Sequence, residues 1–200
     1  MRIETTCEVI HAMLSATIVA MSKDITRFHI CGLQIKVLSA GKIQINATDG
    51  HRLHRVENDF DVQTELDGAF TMPAALAESI VKATKGRKAP ERCVITYDAY
   101  TLAITFTTPL DGASVAGKAV DSTFPPTDAV MPRPDACLAA VEWGVNPKYF
   151  ADLAKVAKAL RSDDGMKVRI TGELDPIRVE LRSEELGIEF TGVVMPMRIK

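Results

Sequence analysis

Apolar residues recur along the chain with two alternating periods. In NPKYFADLAKVAKAL (146–160), Tyr149, Phe150, Leu153, Val156 and Leu160 share one side of a helical repeat, with Lys148, Asp152, Lys155 and Lys158 opposite. CEVIHAMLSATIVAMS (7–22) and PAALAESIVKATKG (73–86) also read as helices. Elsewhere the period is two. Ile43, Ile45 and Ala47 alternate with Lys42, Gln44 and Asn46, and Leu102, Ile104 and Phe106 with Ala103, Thr105 and Thr107. Ile177, Val179 and Leu181 alternate with Arg178, Glu180 and Arg182 in the same way. That pattern predicts antiparallel strands with one face on a core.

The elements fall into three similar units, each a short strand, a helix, then antiparallel strands. The leading strands are RIETT (2–6), GAFTM (68–72) and AVEWGV (140–145). The trailing strands lie in 28–49, 92–108 and 166–190. Helices open near Cys7, Pro73 and Pro147, at spacings of 66 and 74 residues. Thr5 and Glu8 have capping-box spacing, Asn146 suits an N-cap, and Pro73 and Pro147 suit a first turn. Gly86 and Gly165 follow the second and third helical patterns as stop signals. Asp121 to Asp135, DSTFPPTDAVMPRPD, has four prolines and no period, and reads as a linker. One-sided helices with one-sided sheets give a two-layer α+β architecture of repeated β-α-β-β-β units.

Composition narrows the class. The 200 residues are 46% hydrophobic and 25% charged, which excludes a disordered or low-complexity chain. No apolar run approaches the roughly 20 residues that cross a bilayer, and MRIETTCEVI is not an export signal, so a cytoplasmic location is expected. There Cys7, Cys31, Cys93 and Cys137 read as reduced thiols. With 24 Lys+Arg against 26 Asp+Glu, any nucleic-acid role must use a local patch. Lys82, Lys85, Arg87 and Lys88 cluster at the second helix. Residues 146–170 hold six bases (Lys148, Lys155, Lys158, Arg161, Lys167, Arg169) and three acids (Asp152, Asp163, Asp164).

Catalytic signals are lacking: no nucleophile elbow, P-loop or metalloprotease helix occurs. His51 with His54, and Cys7 with His11, offer metal-ligand types but no third ligand, so no metal or cofactor is expected. An enzyme reading would need a hydrolase built on His51, His54 and a nearby Asp. Thr48-Asp49-Gly50-His51-Arg52-Leu53 reads as a tight turn between strands. The terminal Val193-Val194-Met195-Pro196-Met197-Arg198-Ile199-Lys200 reads as a closing strand, or as an adaptable peptide groove through its methionines.

NATDGHRL (46–53), VDSTFPPTDAVMP (120–132) and VVMPMRI (193–199), with RFHICG (27–32) as a preceding strand, resemble the bacterial sliding clamp, the β subunit of DNA polymerase III, in family order. The resemblance implies that 1–132 is a complete clamp-like domain similar to the middle clamp domain. Residues 133–200 then match the later half of the last one. The first domain, and the first half of the last, have no counterpart. It further implies a ring that encircles duplex DNA without sequence preference, helices inward, and tethers a polymerase without being an enzyme. Arg27, Lys82, Lys85, Lys148, Lys155 and Lys158 become candidates for DNA contact. A hydrophobic peptide pocket is implied at Ile30, Thr48, Gly50, His51, Arg52, Leu53, Pro125, Val130, Val193, Met195, Pro196, Met197 and Arg198, with Ala129 where the family often has a base. Polymerase, other clamp-binding proteins and a clamp loader are the implied partners. Family rings contain twelve units, so three per chain imply a homo-tetramer whose third unit completes its domain across a subunit interface. The alternative is a non-encircling module that competes with or modulates a host clamp.

Overall fold

The computed structural model describes all residues except 39–40, 60, 64–67, 88–90, 132–142, 163–164, 173 and 199–200. The expected domain boundary at 132/133, Lys88, Cys137, Asp163, Asp164 and the start of AVEWGV lie outside the described residues.

β1 (Arg2–Thr6) runs directly into α1 (Cys7–Ile18). The cap is Thr6 rather than the expected Thr5: Thr6 Oγ1 accepts the Val9 N–H at 3.3 Å. Thr5 is still held in the ladder opposite Cys93, so the helix cannot begin a residue earlier. Asp24 then caps a 3-10 helix over Ile25–Ile30, where RFHICG led us to expect a strand. The Thr26 N–H donates to Asp24 Oδ1 at 3.0 Å, and this local bond turns the chain before the sheet begins.

β2 (Gly32–Val37), β3 (Lys42–Thr48), β4 (Arg52–Asp59) and β5 (Asp61–Gln63) complete the first unit. The second comprises β6 (Ala69–Pro73), α2 (Ala74–Thr84), β7 (Arg92–Tyr97), β8 (Ala103–Thr108) and β9 (Ala113–Lys118). The third comprises α3 (Pro147–Leu160), β10 (Lys167–Arg169), β11 (Ile177–Ser183) and β12 (Ile188–Val194). Asn146 caps α3 by accepting the Lys148 N–H at 3.0 Å. The helix ends at Leu160, where the 146–160 pattern ends, with Arg161 in the left-handed region (φ 53°). Trp143–Val145, expected in a leading strand, are not in one.

Two antiparallel sheets result, ordered β5-β1-β7-β8-β9 and β10-β11-β12-β4-β3-β2-β6. The first two units exchange leading strands: β1 joins β7, and β6 joins β2. The third unit joins the first through β12 on β4, with Val193 facing Leu53 and Gly192 facing His54. The helices form one layer in which α1 contacts α2 and α3. Ile43, Ile45 and Ala47 are buried as the alternation requires, yet Gln44 and Asn46 are buried too. The expected linker covers this second face. Arg55 donates to Asn46 Oδ1 at 2.8 Å, Thr127 Oγ1 at 2.7 Å and Asp128 Oδ1 at 2.6 Å, and Phe124 and Thr127 are buried. Residues 121–131 therefore lie along the sheet, anchored at Phe124, Thr127 and Asp128 with much of the strip exposed.

Candidate functional site

A groove of ≈ 290 Å³ lies beside the seam between β4 and β12. Its floor is the directly paired Leu53 and Val193, each 2% exposed. His54, the next residue on β4, points the opposite way into the core, its ring Nδ1 2.8 Å from Ala16 O of α1. Alternation along β4 therefore aims Leu53 away from the helices.

One end of the groove is the TDGHRL turn. Thr48 Oγ1 accepts the Gly50 N–H at 3.0 Å and donates to Arg52 O at 2.7 Å. Asp49 Oδ1 accepts the N–H groups of His51 and Arg52 at 3.0 and 3.1 Å. Gly50 takes φ +89°, the left-handed conformation that favours glycine, and a Cβ there would lie 2.9 Å from Arg27 Nη1. Met195 closes the other strand, its N–H donating to His51 O at 3.0 Å.

Of the expected pocket residues, Ile30, Thr48, Gly50, Arg52, Leu53, Pro125, Val130, Val193 and Met195 line this groove. His51, Pro196, Met197 and Arg198 do not. His51 is exposed and contributes its carbonyl, while the Met197 N–H donates to Gly144 O at 2.9 Å and draws the tail aside. The lining also includes His29, Pro126, Thr127 and Arg27, which sequence reasoning missed or assigned to DNA. A strand puts Arg27 and Ile30 on opposite faces. The chain instead kinks at Arg27 (φ −104°, ψ 51°) between two short helical turns, and both side chains line the groove. The Asp24-x-Thr26 spacing is the signal that could have revealed it.

Arg52 ties this groove to the helix layer. It donates to Asp49 Oδ2 at 3.0 Å, pairs with Asp152 of α3, and lies 5.0 Å from the Tyr149 ring centroid. Burial pushes the Asp152 carboxyl up, but Lys155 at 2.5 Å and Arg52 outweigh it and hold its pKa below the usual value.

On the helix layer Lys82 and Lys85 end α2, and Lys148, Lys155 and Lys158 project from α3, all exposed. Central α1 has no Lys or Arg. A cleft of ≈ 390 Å³ lies where α1 begins and α2 and α3 end, lined by His11, Arg87, Lys155, Lys158 and Arg161 beside Glu8. Arg161 is held by Glu8 at 2.5 Å and Glu185 at 2.8 Å, and Arg87 by Glu91 and Asp111. Among the described residues no carboxylate pairs with Lys82, Lys85, Lys148 or Lys158 at salt-bridge distance, and no three His, Cys, Asp or Glu side chains are grouped to hold a metal.

A helix layer against antiparallel sheets, joined edge to edge between units, defines the sliding-clamp fold. Solved structures match it over the whole chain. A DNA polymerase sliding clamp from Pseudomonas aeruginosa has 17% identity and a TM-score of 0.80 over 66% of its own length. One from Bacillus subtilis has 17% identity and 0.79 over 65%. A further Pseudomonas aeruginosa clamp, bound to griselimycin, has 17% and 0.79 over 66%. The chain thus spans less than two thirds of these proteins. The family model described as DNA polymerase III beta subunit, central domain, matches residues 4–126, and the chain belongs to that family as a divergent member. No curated protein sequence matches it.

Proposed function

We propose that this chain is the subunit of a ring-shaped DNA clamp that encircles duplex DNA and recruits a polymerase and other proteins through the β4–β12 groove. One observation carries this reading: the exposed lysines lie on the helix layer, and the apolar groove floor faces away from it. DNA and a partner peptide can therefore be engaged together. Lysines on phosphates give sequence-independent, salt-sensitive contact, and topology supplies the retention that a net charge of −2 does not. In the groove, Leu53, Val193 and Met195 supply apolar contact while Arg27, His29 and Arg52 fix a peptide's register. No bond is made or broken in this activity. Residues 1–132 act as a complete domain and 133–200 as a half completed by another chain, so four chains supply twelve units. A clamp loader would open the ring, in the cytoplasm.

Encirclement is tested by retention on nicked circular DNA before and after linearisation. We expect release from the linear form. Equal retention on both supports a non-encircling module that competes with a host clamp. Titration with griselimycin, the ligand of the related clamp, tests the groove: Met195→Ala should weaken binding about tenfold through lost apolar contact, and unchanged affinity overturns the groove assignment.

A further inference from the structure

We infer that Arg55 is a positioning residue of the groove: it sets where the strip wall stands over Leu53, and so which ligands the groove accepts. The inference deepens the groove reading above and rests on it. Alternation along β4 puts Leu53, Arg55 and Glu57 on the face away from the helices, with His54 and Val56 buried beneath. Leu53 is groove floor, and Arg55 stands about 7 Å further along the same strand, outside the groove lining. One rigid element thus carries both the floor and the anchor of the wall.

The Arg55 side chain is 11% exposed and serves three acceptors at once. Its Nε donates to Asn46 Oδ1 at 2.8 Å, and its Nη2 to Thr127 Oγ1 at 2.7 Å and Asp128 Oδ1 at 2.6 Å. Asn46 is itself buried and donates to Gln34 Oε1 at 3.1 Å and Gln44 Oε1 at 2.9 Å, so the guanidinium is fixed from the sheet side. The other two acceptors belong to the strip. Thr127 lines the groove with Pro125, Pro126 and Val130, and the buried Phe124 anchors the strip just ahead of the prolines. Pro125 and Pro126 are thereby held between two fixed points, while Val130, 46% exposed, hangs from the Arg55 side. Two bonds inside the strip run from the Ala129 N–H to Pro126 O and from the Met131 N–H to Asp128 O, each at 3.3 Å. They shape its turn but do not locate it on the sheet. Lys36 reaches Asp128 only at 3.8 Å. Location therefore comes chiefly from the Arg55 fork, whose charge-assisted bond holds the Asp128 carboxyl below the usual carboxylate range. A lysine there would keep the charge but not the planar fork that meets three acceptors.

Calorimetric titration with griselimycin reads the wall, and hydrogen exchange at the Ala129 and Met131 amides reads the strip directly. Arg55→Gln should weaken binding about tenfold and Arg55→Lys about threefold, with faster exchange at both amides and unchanged exchange along the β4–β12 seam. Asp128→Asn, at a side chain 67% exposed, breaks the pair from the strip side without disturbing the core, and should also weaken binding about threefold. Glu57→Gln is the control for general destabilisation. Its carboxylate holds Gln44 at 2.6 Å and Lys42 at 2.8 Å, two residues beyond Arg55 on the same face. Its loss should change neither griselimycin affinity nor strip exchange. Natural affinity in Arg55→Gln or in Asp128→Asn overturns the inference and leaves the groove reading standing. An equal loss of affinity in Glu57→Gln also overturns it, because the effect is then one of stability rather than position. A natural chain that does not bind griselimycin overturns the groove reading, and the inference falls with it.

Discussion

Arg52, in the turn at the end of the groove, is ion-paired with Asp152 on α3, a hundred residues away along the chain. Their side chains are only 12% and 16% exposed, and the same guanidinium reaches Asp49 and covers Tyr149. One side chain thus fixes both the turn and the seat of α3 on the β4–β12 seam. Removing it leaves two shielded carboxylates with fewer partners. Arg52→Ala should cost about 1–3 kcal/mol of unfolding free energy, read by urea denaturation. A double-mutant cycle with Asp152→Asn should give coupling above about 0.5 kcal/mol. Additive losses would show that the turn and α3 are held independently.

Gly50→Ala separates backbone from side-chain effects at the same turn. At φ +89° an alanine is strained wherever Arg27 moves, although the Arg27 guanidinium can yield the 2.9 Å approach. The expected loss is about 1–2 kcal/mol, with weaker griselimycin binding because Thr48 and Arg52 shift together. Full stability and affinity in the variant would mean the turn relaxes into another conformation at no cost.

Much of this arrangement was legible in the sequence, and the gaps have physical causes. Period-two alternation at Ile43–Ala47 and Ile177–Leu181 found strands because one face always meets helices. It could not show that Gln44 and Asn46 are buried as well, because Gln44 is covered by its bond to Glu57 and Asn46 is joined through Arg55 to a proline-rich strip with no period of its own. Arg55 binding Thr127 and Asp128 fastens that strip, and such a contact over more than 70 residues leaves no local signature. Likewise the RFHICG strand failed because Asp24 offers Thr26 a cap next door, a local bond that outcompetes extension. The groove residues came from resemblance in four separate segments. Their convergence on one seam depends on β12 pairing with β4, which spacing alone does not encode.

His54 predicts an acid-sensitive stability. Burial lowers its pKa to about 4 from the usual 6.5, the Ala16 carbonyl and nearby Asp152 and Asp49 only partly opposing. Below pH 6.5 the unfolded chain takes up a proton that the folded chain refuses until about pH 4, so stability falls across that window by on the order of 3 kcal/mol. His11, also shifted down chiefly by burial, adds in the same direction. Asp128 and Asp152, held below their usual values, act only under about pH 4 and stay separable. Urea midpoints measured between pH 7 and pH 4.5 should fall for the natural chain and fall less steeply in His54→Gln, where His11 remains. Parallel profiles for the two would assign the acid sensitivity elsewhere.

Arg27 and the helix lysines distinguish the two faces. Lys82 and Lys158 project from the helix layer, whereas Arg27 lies against Gly50 in the groove, its Nε 3.3 Å from Asp24. If the helix layer meets DNA phosphates, Lys82→Gln and Lys158→Gln should each weaken DNA binding uniformly across sequences. Each should also reduce the slope of log affinity against log salt by about one. Griselimycin binding should not change in either. Arg27→Gln should do the reverse, lowering groove affinity while leaving the salt slope intact. A salt slope that falls with Arg27→Gln but not with the lysine changes would place the DNA contact on the groove side of the sheet rather than along the helices.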